Sequence, residues 1–151
     1  MRKNNVKQEF VFNLFLKFYP NVLSGLIGYD INELKVEKEY KGRKIDLCGN
    51  TTKEKIFIES QLTRSDYRHL NQIKFIMDNV ARNEGTVVVW IAQEFSDDIL
   101  NAVQNKICKE KKNIELIGIV INREIIEMLD WYTQIDEFAI IENLYRLHNK
   151  S

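Results

Sequence analysis

The chain predicts an α/β fold, a mixed β-sheet flanked by helices, and three observations carry that prediction. Residues 34–61 alternate polar and apolar side chains over three short segments separated by turn residues, the pattern of an antiparallel meander. TVVVWIA (Thr86–Ala92) and Ile114–Ile121 are continuous apolar runs of strand formers, which belong where both faces of a strand are buried, in the parallel centre of a sheet. Segments with helical apolar spacing lie before and between these runs, so helices and strands alternate after the meander.

The elements follow in order. Val6, Phe10, Leu14 and Phe18, with Val11 and Phe15 beside them, recur at helical spacing, and Pro20 ends that first helix. Leu34, Val36 and Lys38 alternate with Lys35, Glu37 and Glu39 in a first strand, Leu34 to Tyr40. Gly42 turns the chain into a second strand, Lys44–Gly49, and Asn50–Lys53 turns it into a third, Lys55–Gln61. Thr63 and Asp66 have the Thr-x-x-Asp spacing of a capping box, and Leu70, Ile73, Met77 and Val80 give the following helix its apolar face before Gly85 stops it. Ser96 opens a further helix to about Lys109. After the strand Ile114–Ile121, the remainder reads as two helices, near 123–130 and 134–148. Ile135, Phe138, Ile141 and Tyr145, with Ile140, Leu144 and Leu147, form a broad apolar stripe there, which packs on the domain or serves as a homodimer interface. Trp90 and Trp131 are assigned to the core.

At 151 residues the chain reads as one domain, 1–151, large enough for a substantial core. Its 44% hydrophobic and 29% charged residues are those of an ordinary globular protein. No apolar run approaches the roughly 20 residues of a membrane span, and the start MRKNNVKQEF lacks the apolar stretch of a secretory signal, so a cytoplasmic protein without a membrane partner is expected. Cys48 and Cys108 fit a reducing compartment, with Cys48 a small half-buried filler, and the lack of a Cys/His cluster argues against zinc. The formal net charge of zero conceals an uneven distribution. Residues 41–74 hold eight basic side chains (Lys41, Arg43, Lys44, Lys53, Lys55, Arg64, Arg68, Lys74) against four acidic ones (Asp46, Glu54, Glu59, Asp66), whereas acids outnumber bases thirteen to eight from residue 75 onward. Such a patch attracts phosphates or is simply a solvated rim.

The chemistry-bearing residues lie inside that basic stretch. Strand geometry sends Ile45 and Leu47 one way and Asp46 the other; on the next strand Ile56 and Ile58 are buried together while Glu59 and Gln61 project from the opposite face. Pairing across the Asn50 turn brings Asp46 and Glu59 within joint reach of one ion. Two neighbouring carboxylates repel each other and welcome a hard divalent cation, whose preferred ligands are oxygens. Asp46 and Glu59, with the backbone carbonyl of Ser60, would hold one or two Mg²⁺, with Mn²⁺ as a substitute, to polarise a phosphate oxygen and activate water. Gln61 carries no charge and removes no proton, so its part is to orient a water or a phosphate oxygen. By spacing alone, two acidic residues on a solvated hairpin have the same signature.

The run IFIESQLTRSDYRHLNQI (residues 56–73) resembles nuclease-like domains that read apolar-x-Glu-x-Gln-Leu, then Ser/Thr-Asp, then His-Leu-x-Gln, and VVVWIAQEF matches their next buried strand and its polar exit. The similarity covers residues 43–121 and is to the PD-(D/E)xK nuclease superfamily. It implies a restriction-endonuclease-like core (helix, three strands, helix, strand), with Asp46 and Glu59 as metal ligands and Gln61 at the third signature position, where the pattern usually has lysine. A glutamate on the first helix often completes such sites, which points to Glu9. His69 is a substrate contact, a support of the metal shell or a structural hydrogen-bonder, Asp66 a cap rather than a ligand, and Gln72, one turn beyond His69 on the same side, reaches the cleft as a further nucleic-acid contact. Arg43, Lys44, Arg64 and Arg68 suit phosphate contacts. The resemblance implies a Mg²⁺-dependent endonuclease acting on DNA. Two alternatives stand beside it, a nuclease fold that binds nucleic acid or protein without cutting, and an RNA- or nucleotide-directed hydrolase.

Overall fold

A computed structural model describes residues 2–110, 112–122, 124 and 141–148. The chain runs α1 (Arg2–Phe18), α2 (Pro20–Ile27), β1 (Asn32–Tyr40), β2 (Arg43–Asn50), β3 (Lys55–Ser60), α3 (Tyr67–Asn79), β4 (Thr86–Ala92), α4 (Asp97–Lys109), β5 (Ile114–Ile121) and β6 (Ile141–His148). The six strands form one sheet in sequence order. β1, β2 and β3 are an antiparallel meander, β4 and β5 join β3 in parallel, and β6 returns antiparallel along β5. The expected mixed α/β sheet is thus what the chain forms.

Two apolar cores sandwich the sheet. On one face Phe12, Phe15 and Leu16 of α1, with Leu23 and Ile27 of α2, meet Leu47, Ile56, Ile58, Val87, Val89, Ile91, Ile117 and Ile119. On the other, Leu70, Ile73, Ile76 and Met77 of α3 and Ile99, Val103 and Ile107 of α4 cover Phe57, Val88, Trp90, Leu116 and Val120. Every residue of β4 is buried. That follows from its place between two parallel neighbours, with the crossover helices α3 and α4 over one face and α1 and α2 over the other. At roughly 1.5–3 kcal/mol for each fully buried Val, Ile or Leu, this strand anchors the fold. Trp90 is fully buried, as expected, and Cys48 is a buried filler whose thiol burial pushes up to about 11.

Several local expectations are revised. The chain does not leave helix at Pro20; it bends by 84° at Tyr19 and continues as α2. Proline suits a first helical turn, where its missing N–H costs nothing, and Gly28 closes α2 at φ 78°. The N-cap of α3 is Asp66, whose side chain accepts from the His69 backbone N–H, so Thr63 is not the cap and the helix starts three residues later than the capping-box reading requires. Asp66 as a cap is the role expected of it. Ile45 and Leu47 do not share a face, since Leu47 packs under α1 and Ile45 under α3. That break coincides with Glu37 of β1, at φ 50° and opposite this stretch, which kinks the hairpin.

Residues 141–148 are a strand, which corrects the helix expected over 134–148. Ile141 and Tyr145 fit helical spacing, but Tyr145 and Leu147 also fit strand alternation, and both pack on the α4 side while Leu144 faces the other core. β5 decides between the periods: an apolar strand this buried needs a hydrogen-bonded neighbour on its far edge. The helix expected near 123–130, the core assignment of Trp131, and the stripe residues Ile135, Phe138 and Ile140 lie outside the described residues, apart from helical Glu124. Among the described residues no single helix is long and apolar enough to cross a membrane.

The β1–β2 hairpin has two constrained points. Lys41 and Gly42, at φ 48° and 91°, make the tight turn as a type I′ pair. Further along, β1 carries a bulge between Asn32 and Lys35, which presses its backbone onto Gly49. A Cβ at Gly49 would meet the Glu33 carbonyl oxygen at 2.5 Å and Leu34 Cδ2 at 2.9 Å. Gly49→Ala is expected to destabilise the protein by ~1–3 kcal/mol, in the range of overpacking costs. Thermal and denaturant unfolding measure it, and wild-type stability in this variant would show that the bulge yields freely.

Candidate active site

The site forms where a backbone ladder stops and side chains continue it. The β2–β3 pairing runs from Asn50↔Lys55 to Leu47↔Ile58 and goes no further, while β3 stays paired to β4 through Ser60↔Ile91. β2 therefore diverges from β3 at Asp46. Two carboxylates bridge the gap: the Ser60 N–H donates to Asp46 Oδ2 at 2.9 Å, and the Asp46 N–H donates to Glu59 Oε1 at 3.3 Å. Each acidic side chain thus satisfies the other strand's orphaned backbone donor. This local fork brings together the two residues that the sequence places thirteen apart.

Burial then sets the electrostatics. Glu59 is only 5% exposed. Burial foremost, and next the Asp46 carboxylate beside it, push the Glu59 carboxyl up to about 9. Burial also raises Asp46, against the lowering effect of the Ser60 N–H and a hydrogen bond from Glu59. With no cation between them, the pair therefore holds a proton at neutral pH, Glu59 donating to Asp46.

The two carboxylates open into a cleft of about 500 Å³ lined by Glu9, Arg43, Lys44, Asp46, Glu59, Ser60, Arg68, His69 and Gln72. Eight of the sequence-derived candidates stand in that one cleft. Glu9 reaches it from α1, its Oε1 accepting from the Leu62 N–H at 3.1 Å, and burial is the main cause of its raised pKa. Gln72 is not a free substrate contact: its Nε2 donates to the Lys44 carbonyl at 2.8 Å and to Glu59 Oε1 at 3.2 Å, steadying the carboxylate that most needs support. Arg43 stacks its guanidinium 4.2 Å from the Phe75 ring centre at the mouth of the cleft.

Two candidates are not brought there. Gln61 is fully buried beyond the end of β3, beneath the loop to α3. Its Nε2 donates to the Arg64 carbonyl (2.7 Å), Asp66 Oδ2 (2.9 Å) and, more weakly, Thr63 Oγ1 (3.3 Å), and its Oε1 accepts from Trp90 Nε1 at 3.1 Å. A carboxamide, donor and acceptor at once, meets those demands; an ammonium would leave the Trp90 N–H without an acceptor. Direct contact of Gln61 with substrate, as expected from the motif, is therefore not a feature of this arrangement. Arg64 instead bridges to Glu94 through its backbone, and its side chain does not line the cleft. The basic excess is dispersed as well: Lys41 donates to the Asn79 carbonyl and Lys55 pairs with Glu84, leaving Arg43, Lys44 and Arg68 at the cleft.

Sequence reasoning overlooked the side chain and N–H of Ser60 and the indole of Trp90. A tryptophan inside an apolar run must place its N–H somewhere, and that was a legible signal. The donor set fits a hard cation, being all oxygen, desolvated and mutually repelling. Ser60 Oγ, buried in the cleft wall with no hydrogen-bond partner among the described residues, adds a free polar atom. Among the described residues no group of three or more His, Cys, Asp or Glu is arranged to hold one ion, so Asp46 and Glu59 are the pair on which a metal would rest.

No family model matches the chain, and no curated protein matches it. Among solved structures it is similar to a repair endonuclease from Pyrococcus abyssi, with 14% identity and a TM-score of 0.50 over 60% of this chain and 39% of that one. It is also similar to SfsA of Pyrococcus furiosus, solved in complex with Ca²⁺, at 13% identity and a TM-score of 0.42 over 68% of this chain and 55% of that one. The chain thus spans well under two thirds of either protein. What it shares with the endonuclease is a fold, a mixed sheet flanked by helices, and this fits the restriction-endonuclease-like core that the motif implies.

The raised carboxyl of Glu59 makes a pH prediction. The folded protein keeps a proton that the unfolded chain releases near the ordinary value of 4.5, so stability falls as pH rises from about 4.5 to about 9. Glu59→Gln keeps an acceptor for the Asp46 N–H and a donor towards its carboxylate, and is expected to flatten that fall. At ~1.4 kcal/mol per pH unit for one proton, metal-free wild type is expected to lose up to ~4 kcal/mol relative to the variant between about pH 5 and about pH 8. Denaturant melts of both proteins check it; parallel curves would refute the shared proton.

Proposed function

We propose that this chain is a small Mg²⁺-dependent endonuclease that hydrolyses phosphodiester bonds in DNA. One observation carries the reading: Asp46 and Glu59 stand side by side at the β2–β3 fork, desolvated, in a cleft whose rim is cationic. The motif resemblance and a fold held in common with a repair endonuclease support it. Asp46 and Glu59 would hold the ion, with Mn²⁺ as a substitute and Glu9 facing it across the cleft. A bound Mg²⁺ supplies polarisation of a phosphate oxygen and acidification of water. The protein's own residues do the rest. Arg43, Lys44 and Arg68 draw the phosphate backbone to the cleft without reading sequence. Gln72 keeps Glu59 aimed into the cleft, and the Ser60 N–H does the same for Asp46.

A second reading has an observation of its own. Gln61 leaves the cleft without the charged group that usually ends the motif, which favours a nuclease fold that binds nucleic acid but does not cut.

Nicking of supercoiled plasmid DNA and calorimetry with Mg²⁺ and Mn²⁺ separate the two. Wild type is expected to cut only with divalent metal, and Asp46→Asn to fall to background while remaining folded. Mg²⁺ at a hundredfold excess over its Kd is expected to stabilise wild type by ~2.7 kcal/mol and the variant hardly at all. Cleavage that survives in Asp46→Asn would overturn the assignment; metal binding without any cleavage would establish the non-cutting reading.

A further inference from the structure

Gln61 touches no part of the cleft, yet a chain of hydrogen bonds leads from it to a side chain that does. The indole N–H of Trp90, locked in the core, donates to Gln61 Oε1 at 3.1 Å and fixes the carboxamide. Gln61 Nε2 donates to Asp66 Oδ2 at 2.9 Å. The other oxygen of that carboxylate, Oδ1, accepts from the His69 backbone N–H at 2.9 Å and lies 2.7 Å from His69 Nδ1. Burial alone would raise the Asp66 carboxyl, but the hydrogen bonds from His69, backbone and ring, and from Gln61 hold it below its ordinary value. An ionised carboxylate accepts only, so the shared proton belongs to Nδ1. His69 lines the cleft, and Nε2 is the ring nitrogen that the bond to Asp66 does not engage.

We propose that His69 is the proton acceptor for the attacking water, and that Gln61 and Asp66 are positioning residues that fix its ring and tautomer. The inference rests on the nuclease reading above and adds to it a group that the Glu-x-Gln motif does not contain. The motif's glutamine, on this view, acts through two intermediaries. In the step, the water oxygen bonds to phosphorus, its proton passes to Nε2, and the bond from phosphorus to the leaving nucleoside oxygen breaks. That oxygen takes a proton from solvent, and the imidazolium, stabilised by Asp66, returns its own. Of the charged groups that share the cleft, Arg68 on α3 and Arg43 and Lys44 on β2 offer donors only. Glu9 on α1, Asp46 on β2 and Glu59 on β3 are the carboxylates assigned to the ion or facing it.

Two measurements test this, one of them independent of activity. The sequence has only two histidines, so ¹H–¹⁵N spectra of metal-free protein resolve the tautomer of each ring. Wild-type His69 is expected to carry its proton on Nδ1, and Gln61→Leu and Asp66→Asn to give mixed tautomers. In single-turnover cleavage of a labelled duplex oligonucleotide with Mg²⁺, His69→Ala is expected to lower kcat roughly 10²–10⁴-fold, the usual worth of a general base, with KM little changed. Imidazole added to the buffer is expected to restore part of that loss in proportion to its concentration. His69 is partly exposed, so the alanine variant should fold, and its melting curve confirms that. A proton found on Nε2 in wild type overturns the inference, as does a His69→Ala variant with wild-type kcat, a deficit confined to KM, or a deficit that imidazole does not relieve. In each case the nuclease reading stands as long as wild type cuts and Asp46→Asn does not; a wild type that cuts no nucleic acid overturns both.

Discussion

The reciprocal bonding of Asp46 and Glu59 across the opening between β2 and β3 is the constraint on which the rest of the site depends. A sheet that splits leaves backbone donors without acceptors, and buried donors without acceptors are costly. Here each strand's carboxylate serves the other strand's N–H. The arrangement closes the fork structurally and, in doing so, crowds two acidic groups where water is scarce. The strain of that crowding is electrostatic rather than steric; a proton relieves it, as a bound cation would. Structural need and chemical capability therefore share the same two side chains.

Around the fork, the three layers contribute different parts. β4, buried along its whole length, keeps β3 straight through Ser60 while β2 departs, so the divergence falls on one side only. α3, capped by Asp66, brings His69, Arg68 and Gln72 over the opening from one face of the sheet. α1 brings Glu9 and ties it to the chain just beyond β3 through the Leu62 N–H. The carboxamide of Gln61 connects these layers, joining the indole of β4 to the cap of α3. The residue at the third position of the motif here donates to the side chain that caps the helix.

Much of this was legible in the residues themselves. The alternation of β1 to β3, the unbroken apolar runs of β4 and β5 and the amphipathic spacing of α3 and α4 each reflect a burial pattern that local periodicity reports directly. Asp46 and Glu59 were legible because both interrupt apolar strands. The second helix after Pro20 was not, because a proline ends one helix and starts another with the same ring. β6 was not, because Ile141, Leu144, Tyr145 and Leu147 satisfy helical and strand spacing at once, and only the open edge of β5 selects the strand.

What the sequence determined by itself is the order and type of most elements and the identity of the acidic pair, since both follow from side-chain polarity set against the two backbone periods. Only the tertiary structure decided which polar groups near that pair reach the cleft. Gln61 and Glu59 have the same strand parity, yet one is sealed beneath the loop to α3 and the other opens into the site. The distinction arises from partners far away in the chain, Trp90 for one and Asp46 with Gln72 for the other. A hydrogen bond between residues thirteen or twenty-nine apart leaves no periodic trace in the sequence, so packing alone assigns it.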